Sequence, residues 1–151
     1  VLADDPNLNV IVETMTNNQS KIIMAQEYLP AIRRGDKRIL LLNGNPLPYG
    51  LMRKPNKNEV RANLAKGGQA SLAKLSKSDY NIIETIKPFL VKNELSFVGI
   101  DIIGDYMTEI NVTSPTGIRE IQRLSGIDIA ALTWDAIERK HPTYASNSIA
   151  R

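Results

Sequence analysis

Apolar positions along the chain fall into short runs with two different periods. Leu8, Ile11, Val12 and Met15 recur at helical spacing behind Asp4, Asp5 and Pro6. This predicts a helix over 4–15, with an aspartate cap and proline in the first turn. Residues 21–29 read as a strand that ends at Tyr28-Leu29-Pro30. The run Arg38-Ile39-Leu40-Leu41-Leu42 meets Asn43-Gly44, a strong hairpin turn signal. A return strand is expected over 47–52, with Pro46 and Pro48 marking a sheet edge. Residues 54–69 have little regular apolar spacing and contain Pro55, three Asn and Gly67-Gly68, so they read as a long loop of the kind that often carries function.

Ser76, with Asp79 three residues on, predicts a capped helix. Its apolar face holds Ile82, Ile83, Ile86, Phe89 and Leu90, with a kink expected at Pro88. A hairpin is expected over 95–111 around Gly104-Asp105, followed by closing helices over 116–124 and 128–140, the second capped by Asp128. Trp134 on the last helix is expected to pack. Strands and helices mix without a βαβ rhythm, so the fold class is α+β. The division expected is a folded lobe over 1–141 and a mobile tail over 142–151.

Charge and composition narrow the chemistry. The 151 residues include no Cys and one His, which excludes disulfides, thiolate nucleophiles and multi-His metal sites. His141, next to Pro142, reads as a solvent-exposed residue past the last helix. No apolar run approaches the roughly 20 residues that span a bilayer. The start, Val1-Leu2-Ala3-Asp4-Asp5, has no basic leader, so a cytoplasmic protein is expected. Net charge is +3 but uneven: from Arg33 to Lys66 there are nine basic residues and two acids, a surplus of seven, which leaves the rest of the chain at −4. That asymmetry calls for an anionic partner, either nucleic acid or the phosphate and carboxylate groups of small ligands.

The richest chemistry lies in the second hairpin. Glu109 and Asn111 are two apart on a strand and share a face, and Ile110 is expected to point the other way, into the core. With Asp101 on the preceding strand they form an all-oxygen set that suits Mg²⁺, a cation that also keeps positions open for phosphates. A solvated strand face explains the same spacing equally well. Register separates the two readings. A plain two-residue turn at Gly104-Asp105 pairs Asp101 with Thr108 and turns Glu109 to the opposite face. The metal reading therefore requires a bulge or an odd-length loop. Ser114, Thr116 and Gly117 then lead into a helix N-terminus, a natural anion site or a plain Thr116 cap. Arg38, Arg53 and Arg61 can each hold carboxylate or phosphate with two hydrogen bonds.

Several motifs in order carry a resemblance. They are Tyr28-Leu29-Pro30-Ala31-Ile32 with Gly35-Asp36-Lys37-Arg38, Asn43-Gly44 with Pro46-Leu47-Pro48-Tyr49, Glu59-Val60-Arg61-Ala62-Asn63 with Gly67-Gly68, and Asp101 to Asp105 with Thr108 to Thr116 and Ile118-Arg119-Glu120. Over about residues 5–140 the chain resembles the C-terminal part of bacterial glutathione synthetase.

The resemblance implies an ATP-grasp fold, here its C-terminal lobe, an antiparallel sheet flanked by helices. The N-terminal domain and the other ATP-grasp lobe are missing from this sequence. It implies an ATP-dependent carboxylate–amine ligase that joins γ-glutamylcysteine to glycine through an acyl phosphate, giving glutathione, ADP and phosphate. The cofactors implied are ATP and Mg²⁺, with Mn²⁺ as a substitute. Gln26, Glu27, Tyr28 and Leu29 would receive adenine, with Asp36 near the ribose. Asn63 and Gly68, with catalytic Arg53 and Arg61, would hold phosphates and the reacting carboxylate. Arg38, Ser114 and Thr116 would hold the peptide substrate, and Asp101, Glu109 and Asn111 the metal. A homo-oligomer, a tetramer by family, is implied, and the 151-residue chain alone is expected to be inactive. Two other readings stand beside this one: an ATP-grasp ligase with a different amine acceptor, and a non-enzymatic basic module that binds nucleic acid. With only 5% aromatic residues and no basic helix, the last has little to stack bases on. Neither nucleic acid nor membrane is therefore expected as a partner.

Overall fold

The computed structural model describes residues 1, 4–55 and 69–140. The elements run α1 (Leu8–Met15), β1 (Asp36–Leu42), β2 (Asn45–Pro46), β3 (Gly50–Lys54), β4 (Gln69–Ala73), α2 (Lys77–Lys92), β5 (Phe97–Ile103), β6 (Tyr106–Asn111), α3 (Ile118–Ser125) and α4 (Ile129–Lys140). A 3-10 turn, Pro30–Arg34, leads into β1. The sheet is antiparallel throughout, in the order β4-β3-β1-β5-β6, with β2 pairing β1. The α+β class read from the sequence, an antiparallel sheet flanked by helices, matches this architecture.

β1 is the spine, and its alternation builds a core on each side. Ile39 and Leu41 pack with Val98, Ile100 and Ile102 of β5 under Ile83 and Leu90 of α2. Leu40 faces the other way, with Leu47, Leu51, Ile121 and Ile129, beneath α3 and α4. Burial on both faces explains why β1 and β5 are near-continuous apolar runs. Asn43 and Gly44 turn the chain with φ of 51° and 75°, the two positive values a tight hairpin turn demands. The α2 cap closes in both directions. Asp79 N donates to Ser76 Oγ at 3.2 Å and Ser76 N to Asp79 Oδ2 at 2.7 Å. The fully buried Asp79 also pairs with Lys37 Nζ at 2.5 Å.

Several expectations are corrected. The first helix starts at Leu8, because Asp5 accepts from Asn7 N at 2.8 Å and caps a turn ahead of it instead. Val12 and Met15 of the expected face are exposed, and α1 buries no residue. Residues 21–29 form no strand. Ile22 is 98% exposed and Met24 80%, and a strand without a ladder partner gains nothing from strand-like composition. The return strand breaks at 47–49 into β2 and β3, with Leu47 N donating to Leu40 O at 2.9 Å. β4, unforeseen, pairs with β3. Phe89 and Trp134 are exposed, Trp134 to 63%, and Ile110 lies half-open on the edge strand rather than in the core. α3 begins two residues later than expected, behind Gly117.

Candidate functional site

The candidate site lies on the α3–α4 face of the sheet, at the end where the apolar alternation of β1 gives way to Asp36 and Arg38. Register decides what meets there. β5 and β6 turn through Gly104 and Asp105, with Ile103 opposite Tyr106 and Ile102 opposite Met107. A bulge follows: Thr108 is the extra residue, and Asp101 stands directly opposite Glu109. Thr108 Oγ1 donates to Asp101 O at 3.2 Å, pinning the bulge. Asn111 faces Gly99 one pair further on. The turn is two residues long, yet the bulge restores the face that the metal reading requires.

Asp101 is also opposite Arg38 in β1, and Asp36 is opposite Arg53 in β3. These pairings assemble a charge network across three strands, β3, β1 and β5. Arg38 grips Asp101 with two hydrogen bonds, Nε to Oδ1 at 2.7 Å and NH2 to Oδ2 at 2.6 Å. Its NH1 donates to Thr116 Oγ1 at 2.9 Å and Thr116 O at 3.3 Å. Arg53 grips Asp36 in the same two-point fashion, at 2.7 and 2.6 Å, and its NH2 also lies 2.8 Å from Asp101 Oδ2. One orientation of the Asn111 amide satisfies both its neighbours: the nitrogen donates to Glu109 Oε1 and the oxygen accepts from Arg38 NH2, each at 3.1 Å.

Asp101 is 4% exposed and Arg38 6%. Burial alone would raise the Asp101 carboxyl, but the hydrogen bond from Arg38 and the charge of Arg53 outweigh it and hold its pKa below the ordinary carboxylate range. Asp36 goes the other way, because burial dominates and Arg53 only partly offsets it. Burial would lower Arg53, but its bond to Asp36 and the charge of Asp101 overcome that and raise it. Asp101 is therefore a fixed anion at neutral pH, and Arg53 a fixed cation.

The donor chemistry of Asp101, Glu109 and Asn111 is all oxygen, converging from two paired strands, and fits a hard divalent cation. Among the described residues, no group of three or more His, Cys, Asp or Glu is placed to hold a metal; here the third donor is an amide. A groove of about 1060 Å³ opens beside the set. It is lined by Gln26, Glu27, Tyr28 and Leu29 from the segment ahead of β1, by Asp36 and Asp101, and by Tyr106, Met107, Thr108 and Glu109 from β6. Residues 26–29 thus share one concavity with two carboxylates of the network.

Thr116 does not cap α3. Gly117 precedes that helix in the left-handed conformation without a side-chain cap, and Thr116 serves Arg38 instead. Ser114 is exposed on the same connection. What seats this connection is Gly99, which sequence reasoning passed over: a Cβ there would lie 2.7 Å from Pro115 Cβ. A glycine inside an apolar strand was the available signal. Arg61, Asn63 and Gly68 lie outside the described residues. Lys37, Arg38 and Arg53 from the basic segment are spent on internal carboxylates, which removes them from any surface that could track nucleic acid.

Residues 1–126 match the family described as prokaryotic glutathione synthetase, ATP-grasp domain. Among curated relatives, glutathione synthetase of Shewanella oneidensis is 53% identical over 140 residues, covering 93% of this chain and 44% of that protein. That of Yersinia pestis is 52% identical over 141 residues, with the same coverage. That of Pseudomonas syringae pv. tomato is 54% identical over 138 residues, covering 91% and 43%. The chain thus spans less than half the length of the relatives it matches.

Proposed function

This chain belongs to the prokaryotic glutathione synthetase family, in its ATP-grasp domain, and we propose that it is the metal- and phosphate-handling part of an ATP-dependent ligase joining γ-glutamylcysteine to glycine. The observation that carries the reading is the bulge at Thr108. It sets Asp101 opposite Glu109, with Asn111 on the same face, beside the groove that also takes in residues 26–29.

Asp101, Glu109 and Asn111 hold Mg²⁺, or Mn²⁺ in its place. Bound Mg²⁺ and ATP supply the phosphoryl group and offset the charge that builds on its oxygens. The rest falls to side chains. Residues 26–29 receive the adenine edge through backbone groups, with Asp36 towards the ribose. Arg53 and Arg61, with Asn63 and Gly68, hold phosphate and the reacting carboxylate. Arg38 is immobilised by Asp101 and Thr116, so its positive field is preorganised towards the peptide substrate, which Ser114 also meets. A carboxylate is a poor acyl donor. Phosphoryl transfer from ATP makes it an acyl phosphate and releases ADP; the glycine amine then attacks the acyl carbon, the acyl C–O bond breaks to expel phosphate, and no nucleophilic side chain is required.

The described residues up to Lys140 belong to the C-terminal ATP-grasp lobe, and the tail expected over 142–151 lies outside the described residues. The chain covers 44% of the length of its Shewanella oneidensis relative, and the 151 residues alone are not expected to turn over. The complete enzyme is a cytoplasmic homo-oligomer, a tetramer by family. Among the described residues no helix is long and apolar enough to cross a membrane. The test is phosphate release from ATP by the full-length protein. Release that requires both γ-glutamylcysteine and glycine supports the proposal; release only with another amine acceptor assigns the chain to a different ligase.

A further inference from the structure

Asp101 Oδ2 is a crowded atom. Arg38 NH2 approaches it at 2.6 Å and Arg53 NH2 at 2.8 Å. Arg38 NH2 takes one of its lone pairs in a hydrogen bond, and the Arg53 guanidinium sits within ion-pair distance of the same atom. Oδ1 has one claimant, Arg38 Nε at 2.7 Å. A cation drawn to Asp101, Glu109 and Asn111 must therefore either share a buried carboxylate with two guanidinium charges or displace one of them. At a few ångströms, in a site shielded from water, like charges repel strongly.

The two arginines are not equally tied. Arg38 is opposite Asp101 in the ladder, holds both its oxygens, and is anchored behind by the hydroxyl and carbonyl of Thr116. Arg53 reaches Asp101 with a single nitrogen from a strand one further away, while a two-point grip on Asp36 holds it independently. Arg53 can leave Asp101 and lose one contact; Arg38 would lose two hydrogen bonds to Asp101 while Thr116 holds it in place. The network has one fixed cation and one releasable cation on the same anion.

We propose that Arg53 occupies the cation's place at Asp101 until an anionic ligand draws it away, so that Arg53 couples metal binding to the arrival of a phosphate-bearing substrate. The inference rests on the metal role of Asp101, Glu109 and Asn111 proposed above. Its consequence is reciprocal. Without nucleotide, Arg53 keeps the affinity for divalent metal low. With a polyphosphate bound, the guanidinium follows the new anion and Asp101 is free to ligate. Arg53 is then a positioning residue for the metal as well as a phosphate contact.

The probe is Mn²⁺ alone, with the free ion measured by electron paramagnetic resonance on the full-length protein without nucleotide. Arg53→Met removes the charge and keeps the stem. It should bind Mn²⁺ roughly tenfold or more tighter than the parent, a shift typical of coupled sites. Arg53→Lys should stay near the parent, and adding Asp101→Asn to Arg53→Met should erase the gain. Arg53→Gln serves the same purpose should Arg53→Met fail to fold. Because Arg53 also neutralises Asp36, Asp36→Asn is placed in the Arg53→Met background, where the gain should persist. Unchanged Mn²⁺ affinity in Arg53→Met overturns the coupling, as does a gain that vanishes with Asp36→Asn. The reading beneath it fails separately: then Asp101→Asn leaves Mn²⁺ binding unaffected even with a non-hydrolysable ATP analogue present.

Discussion

Arg38→Met would break the buried ion pair at the centre of the site. Arg38 gives Asp101 two hydrogen bonds and Thr116 two more. The variant leaves a carboxylate that is 4% exposed with Arg53 on one oxygen only. Removing one partner of a buried pair costs about 3–5 kcal/mol. The surviving Arg53 contact places this case at the low end, about 3 kcal/mol. With a urea m-value near 2 kcal/mol/M, that lowers the unfolding midpoint of the chain by about 1.5 M at constant m. The double variant Arg38→Met/Asp101→Leu removes both charges and leaves no orphan, since Arg53 still pairs with Asp36. It should cost at least about 1 kcal/mol less than the sum of the singles, within the usual range for coupled contacts. Single costs that add within about 0.5 kcal/mol would refute the claim that Arg38 and Asp101 act as a unit.

Three smaller effects follow from the same structure. Because the folded pKa of Asp101 lies below its ordinary value, its contribution is complete above the unfolded carboxylate pKa of about 3.9 and is lost as pH falls through the lower, folded value; Asp101→Asn should flatten that acid limb of the stability curve, and parallel curves for parent and variant would contradict the assignment. Ser76→Ala removes the acceptor for Asp79 N and should cost about 1 kcal/mol, or about 2–4 °C in Tm, read by circular dichroism. Gly99→Ala puts a methyl 2.7 Å from Pro115 Cβ and should cost about 1–3 kcal/mol, with a loss of substrate affinity because the displaced connection carries Thr116; unchanged stability would mean that the connection yields freely.

What was legible in the sequence was whatever local chemistry determines. Asn43-Gly44 forces a turn by its backbone preference, and the hairpin formed there. Ser76 and Asp79 satisfy each other's backbone amides without tertiary help, and the cap formed as read. Asp128 caps α4, accepting from Ala131 N at 3.0 Å. The bulge was legible by a different route. Glu109 and Asp101 could share a face only if the register slipped, so a chemical requirement predicted a backbone irregularity.

What was not legible depends on partners far along the chain. Residues 21–29 have strand composition but no neighbour to pair with among the described residues, and Ile22 and Met24 stand exposed. α1 has an apolar face and buries none of it. β4 is short, follows directly on a segment read as loop, and carries only Leu72 as a large apolar side chain, yet β3 offers it a ladder. Arg38, Arg53 and Asp101 are individually ambiguous surface-type residues. Only the order β3-β1-β5 makes them one network, and no spacing rule carries that order.

The central claim is that Asp101, Glu109 and Asn111 serve the chemistry of an ATP-dependent ligase. Its most direct test is phosphate release by the full-length protein with ATP, γ-glutamylcysteine and glycine, comparing the parent with Glu109→Gln. Glu109 is exposed and exchanges one hydrogen bond with Asn111, so the substitution should leave the thermal melt unchanged. The account predicts that turnover is abolished while the melt stays within about 2 °C of the parent, the shift of less than about 1 kcal/mol expected at a surface position. Near-parental turnover in Glu109→Gln would contradict it.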